Sequence, residues 1–188
     1  MSSDESKPGL SRVLCAITAI VFATGLLSGV ISTLNSDNAP VTHLPDTNAW
    51  GVHLVITVLT LVLIVAVWAV RRRGGRSRTP LILTPLGVRA EHRLRRTVRV
   101  SPLRMIPVVL LLVFAGYGVW RAGMQVFGGI DPDFVTNAWG GPSYLGAMYC
   151  HYLDGGLMIA AALFLVHLLL VPVSSDEPES DMQRGPSV

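Results

Sequence analysis

Charge is scarce in this chain. Only 14% of its 188 residues are Asp, Glu, Lys or Arg, against about a quarter in soluble domains. With 51% apolar residues, that deficit argues against a soluble globule and against a disordered polymer alike. Cysteine is scarcer still. The two residues, Cys15 and Cys150, exclude a disulfide-stapled secreted scaffold. Cys15 is expected near the inner membrane surface and Cys150 near the outer one, beyond the roughly 7 Å between alpha carbons that one bond tolerates. Lysine is nearly missing, Lys7 being the single lysine among 15 basic residues, a bias like that of GC-rich bacterial genomes. No CxxC pair, phosphate-binding glycine loop, nucleophile elbow or HExxH helix occurs. Ser143, Tyr117 and Tyr149 lack a recognisable activating base. These absences point away from an enzyme.

What the chain does contain is four long apolar blocks, the pattern of a protein dissolved in lipid. Val13–Leu34 and Trp50–Val70 carry no charge, and each exceeds the roughly 30 Å hydrocarbon core at about 1.5 Å per residue. A third span over 105–128 is uncharged only as far as Trp120 and must carry Arg121 within its helix. The fourth covers 144–173. These predict an all-α integral membrane fold, an antiparallel bundle of four transmembrane helices within 10–173. The tails, 1–9 and 174–188, are polar and too poor in apolar residues to fold alone. The N-terminal apolar run is long for a signal peptide core and no small-x-small cleavage site follows it, so it reads as a retained span.

Basic residues set the expected orientation. The connector 71–104 holds 11 of the 15, while 35–49 and 122–144 hold none, so the positive-inside rule places both termini and this connector in the cytoplasm of a cell membrane. The sequence pI near 9.2 therefore reflects one loop. No aromatic platform accompanies the charge, which excludes a nucleic-acid partner. Within the connector, 87–100 reads as an amphipathic segment able to lie on anionic lipid.

One pentapeptide occurs twice. Thr47-Asn48-Ala49-Trp50-Gly51 returns as Thr136-Asn137-Ala138-Trp139-Gly140, each copy in an outward loop before an even-numbered span. Its matched position predicts an internal duplication: two helical hairpins related by an axis along the membrane normal. A capping Asn or Thr followed by an interfacial Trp explains the motif structurally. The same loops hold Asp37, Asp46, Asp131 and Asp133 without a basic neighbour, an oxygen-rich set that could suit calcium, although the spacing is not that of a calcium loop.

Ionisable groups at membrane depth require a partner or a purpose. Arg121 lies about 10 Å below the outer end of its span by helical rise, close to the depth of Asp154 if 144–173 is one helix; the expectation is that they pair. If Ser143–Leu153 instead lies on the surface, Asp154 is solvated. His53 and His151 complete a polar cluster with Arg121 and Asp154. His43, His53, His151 and Asp154 are the candidate ligands for zinc, copper or iron, and His53 with His151 is the one pair placed to clamp a haem. His167 stands alone at the other end. Gly25 and Gly29 in the first span, with Gly116, Gly118 and Gly123 in the third, predict close helix packing between these two. The leading functional expectation is a non-catalytic accessory or scaffold subunit with an outward recognition site and a membrane-protein partner or a second copy of itself. A haem- or metal-binding redox protein and a small oligomeric transporter are the alternatives.

Overall fold

In a computed structural model of the chain, residues 9–36, 41–44, 48–73 and 85–172 are described. They form α1 (Arg12–Leu34), α2 (Trp50–Arg73), α3 (Val88–Val100), α4 (Met105–Gly128), α5 (Pro132–Val135) and α6 (Tyr144–Leu169), with a 3-10 turn at Pro102–Arg104 before α4. The described residues contain no strand, only an isolated bridge between Leu10 and Gly87. Four helices, α1, α2, α4 with its preceding turn, and α6, are long and apolar enough to cross a membrane. The chain is thus an all-helical, multi-pass membrane protein. The expected tails lie outside the described residues apart from Gly9, as do 74–84 of the basic connector.

Local chemistry fixes the helix ends. Ser11 caps α1, its hydroxyl accepting from Leu14 N at 3.2 Å, and Ser143 caps α6 by accepting from Gly146 N at 3.2 Å. Both satisfy an otherwise bare amide. Helix α6 continues through Gly155 and Gly156 without a break, so 144–153 belongs to the span and is not a separate surface segment.

Glycine determines which helices meet. A Cβ on Gly25 would lie 2.0 Å from Trp120 O, one on Gly29 2.2 Å from Met124 O, and one on Gly123 2.3 Å from Phe22 O. Backbone therefore touches backbone along α1 and α4, the close approach that small residues permit. Contacts advance in the same sense on both, from Gly25–Trp120 through Gly29–Met124 to the Thr33 hydroxyl donating to Phe127 O at 2.9 Å, so these two helices run parallel. Helix α4 also packs on α6 in the opposite sense: Val108 clusters with Val166 and Leu170, while Tyr152 and Tyr144 donate to Ala122 O and Val126 O at 3.2 and 3.1 Å. Gly118 faces Ile159 of α6, and a Cβ on Gly116 would meet nothing.

Helix α2 is held differently. It meets the other long helices chiefly through α6, and His53 is its single buried residue. The spatial order is α1, α4, α6, α2. The first two spans do not pair as closely as the last two, an asymmetry between the expected hairpins.

The arginine-rich connector is tied to the bundle by α3. Ser11 Oγ donates to Glu91, Ser11 N to Leu86 O at 2.8 Å, and Val88 N to Gly9 O at 3.1 Å. Arg93 spreads its guanidinium over the last turn of α6, donating to Leu170 O at 2.6 Å and His167 O at 3.0 Å. A cation at a helix C-terminus meets both bare carbonyls and the negative end of the dipole. Thr97 is fully buried and accepts from Val171 N at 3.0 Å. One face of the amphipathic segment is thus engaged by protein; Arg89, His92, Arg95 and Arg99 are exposed.

Candidate functional site

The two copies of the repeated pentapeptide meet at the end of the bundle opposite α3. Ala49 N donates to Trp139 O at 2.8 Å, and Trp50 Nε1 to Gly140 O at 3.0 Å. Asn137 grips the preceding loop with both ends of its amide, accepting from Leu44 N at 2.8 Å and donating to Thr42 O at 3.2 Å. His43 Nδ1 donates to Thr136 O at 2.8 Å. Thr47, with Asp37 and Asp46, lies outside the described residues.

The copies do different work. Asn48 accepts from Trp50 N at 2.9 Å, a local turn that opens α2. Asn137 caps nothing, because Gly140, Gly141 and Pro142 intervene and Ser143 takes that role for α6. This corrects the expectation of one cap-and-anchor motif used twice. Gly141 has φ of 80°, a left-handed turn that glycine adopts freely. A Cβ on Gly140 would stand 1.8 Å from Gly146 O, whereas one on Gly51 would meet nothing. Asp131 accepts from Asp133 N at 3.0 Å and caps the short α5.

Docked loops bring the top of α2 against α6. Trp50 stacks on Tyr149 with ring centroids 5.3 Å apart and planes at 15°. Thr57 donates to His53 O at 2.7 Å and its hydroxyl also bonds the Tyr149 hydroxyl. Between these contacts lies His53, 2% exposed, with Trp139 tilted over its ring at 5.8 Å. Nδ1 stands 2.8 Å from Ala49 O, and Nε2 stands 3.1 Å from Asp154 Oδ2.

The two contacts engage both ring nitrogens of His53. A carbonyl oxygen only accepts, so Nδ1 carries a hydrogen. Nε2 can then bond the carboxyl group in two ways: as an imidazolium donating to a carboxylate, or as a neutral ring accepting from a protonated carboxyl. Both ring nitrogens are committed, so His53 in this arrangement has no lone pair to offer iron or zinc. Among the described residues no three His, Cys, Asp or Glu side chains converge as a metal site. His43 is engaged with the second loop.

The expected Arg121–Asp154 pair is corrected. Asp154 takes His53, and no carboxylate oxygen among the described residues stands within 4.0 Å of Arg121. Matched depth places the two in one cluster, but depth does not choose a partner. Trp50 and Tyr149 pin α2 to α6, and this brings His53 to Asp154 first.

Arg121 and Asp154 instead share a cavity of about 730 Å³ between α4 and α6, roofed by 133–139. Its polar lining is Arg121, Gln125, Asp133, Asn137, His151 and Asp154. Phe114, Tyr117, Phe134, Trp139 and Tyr152 supply aromatic walls. Phe134 lies 5.4 Å from the His151 ring, centroid to centroid. Arg121 and His151 both line the cavity. All four members of the expected polar cluster are therefore at or beside one cavity, His53 through its bond to Asp154.

Sequence reasoning missed the roles of Tyr149, Thr57 and Gln125. Thr57 and Gln125 each lie four residues beyond a cluster member, His53 and Arg121, and so share its helix face. That spacing was a usable signal. Comparisons with protein-family models, curated proteins and solved structures find no match to this chain.

Proposed function

We propose that this chain is a non-catalytic protein of a cell membrane, an accessory or scaffold subunit that recognises its ligand or partner through the cavity between α4 and α6. The observation that carries this reading is the cavity itself. It combines aromatic walls with a few convergent polar groups, the usual composition of a recognition pocket. The docked pentapeptides give it a built roof without supplying any activated nucleophile. The arginine asymmetry supports cytoplasmic termini and a cavity near the opposite surface. Anionic lipid is the fitting neighbour for the exposed Arg89, Arg95 and Arg99 of α3. The repeated pentapeptide supports descent from a duplicated hairpin.

The bonded His53–Asp154 pair beside this cavity favours a second reading, a small oligomeric transporter driven by proton exchange. Mild-detergent purification, mass spectrometry and an optical spectrum separate the readings. The accessory reading expects a colourless sample with one stoichiometric companion, cross-linked from a photoreactive residue at Phe134. A Soret band lost in His53→Ala refutes it in favour of haem. Proton-dependent flux into liposomes, abolished by Asp154→Asn, refutes it in favour of transport.

A further inference from the structure

Resting on the reading of this cavity as a recognition site, we infer that its occupant is an amphiphile with one acidic head group, held at Arg121 and His151 and entering sideways from the lipid. Three observations converge. The first is charge. Asp154 is bonded to His53, so its carboxyl group is not the partner of Arg121. Asp133 is exposed at the mouth, where water screens it. The guanidinium is permanently charged, half-buried and without a carboxylate partner among the described residues. An uncompensated cation at this depth is costly, and an anion is its complement.

The second observation is the donor set. No hydrogen bond to a described residue engages either nitrogen of the half-buried His151, which faces the same cavity as Arg121. Guanidinium and imidazole together present N–H donors from α4 and α6 to one acidic group. The titratable groups lining the cavity are Arg121 and Tyr117 on α4, His151, Asp154 and Tyr152 on α6 and Asp133 on the roof, with His53 of α2 bonded to Asp154.

The third is shape. Away from the loops the lining turns apolar, with Phe114, Tyr117 and Met158 46%, 52% and 52% exposed on the outer surface of the bundle. The cavity thus opens towards lipid and not only towards water. Gly155 and Gly156 form part of its wall, yet a Cβ on either meets no protein atom within 4 Å. Their missing side chains leave room that helix packing does not use.

Native mass spectrometry of the full chain in a non-ionic detergent tests this, with oleate, oleyl alcohol, phosphatidylglycerol and phosphatidylcholine as probes. Oleate or phosphatidylglycerol should be retained over its neutral or zwitterionic counterpart, and the preferred one identifies a free carboxylate or a lipid phosphate as the source. Arg121→Gln should weaken the acidic probe at least about tenfold, the scale of one lost charge-assisted bond, and leave oleyl alcohol unchanged. Gly156→Leu should exclude all probes while keeping the melting temperature. Equal binding of acidic and neutral probes, or no loss in a folded Arg121→Gln, overturns the acidic occupant but spares the cavity as a recognition site. Should Arg121→Gln fail to fold, the acidic-over-neutral preference of the unaltered chain decides alone. Retention of every probe by Gly156→Leu removes both readings together.

Discussion

The crossing of α1 and α4 should tolerate no side chain at Gly25. A methyl group there would stand 2.0 Å from Trp120 O, where real Cβ contacts essentially never fall below 3.0 Å. The helices must separate by about 1 Å, and because the obstacle is backbone, no rotamer change relieves it. Overpacking of this kind costs roughly 1–3 kcal/mol, and an immovable neighbour favours the upper end. For a chain of this length, about 3 kcal/mol lowers the melting temperature by about 6–12 °C. Gly116 supplies the control. A Cβ there meets nothing within 4 Å, and alanine improves helix propensity by up to about 1 kcal/mol, so Gly116→Ala should melt at or above the parent. Cys150, 1% exposed, provides the readout through a thiol-reactive fluorophore in a Cys15→Ser background. If Gly25→Ala melts within about 2 °C of Gly116→Ala, in place of the gap expected from overpacking, the backbone-to-backbone crossing is wrong.

Other perturbations probe the two ends of the bundle. Arg93→Ala removes the donors to His167 O and Leu170 O; charge-assisted bonds are worth about 1.5–3 kcal/mol, and faster amide exchange confined to the last turn of α6 and to α3 is the expected signature. Asp154→Asn should fold nearly as well as the parent, because a neutral His53 accepts from the amide nitrogen. Asp154→Leu should cost about 1–3 kcal/mol by leaving Nε2 bare; equal melting of the two variants would contradict the bond. The Ser11 hydroxyl, then Arg95, holds the Glu91 carboxyl below the usual range against a smaller opposing effect of burial. A depressed carboxyl contributes stability above its unfolded value, and that contribution disappears as pH falls through the folded one. Melting temperature should therefore drop on acidification below about pH 4.5, and less steeply in Glu91→Gln.

The helices were legible because lipid imposes a blunt rule: every backbone group inside it must be paired within its own segment, so long apolar runs become helices. The expected ends at Leu34, Trp50, Met105, Gly128 and Tyr144 coincide with helix ends in the structure. Gly25, Gly29 and Gly123 could also be read, since small residues one turn apart mark close packing. Gly116 looked the same in sequence and faces open space, because spacing along one helix cannot reveal which face is covered. The amphipathic 87–100 segment was visible as a pattern. Its attachment was not, for nothing local connects Arg93 with carbonyls more than seventy positions away.

The site was legible in membership and illegible in pairing. Scarcity makes any ionisable residue in an apolar span conspicuous, so Arg121, His151, Asp154 and His53 could be gathered by depth. Partner choice depends on helix rotation, which Trp50, Tyr149 and Trp139 set through contacts between distant segments. The repeat sharpens this point. The offset of 89 between its copies, carried along the chain, sets Arg121 against Ser32, His53 against Pro142 and Asp154 against Val65. None of the three groups has a counterpart in the other half. The polar site draws its arginine from the third span, its aspartate from the fourth and its buried histidine from the second. Neither half could assemble it alone. Among the described residues α4 packs closely on α6 and the cavity lies between them, a closeness unmatched between α1 and α2.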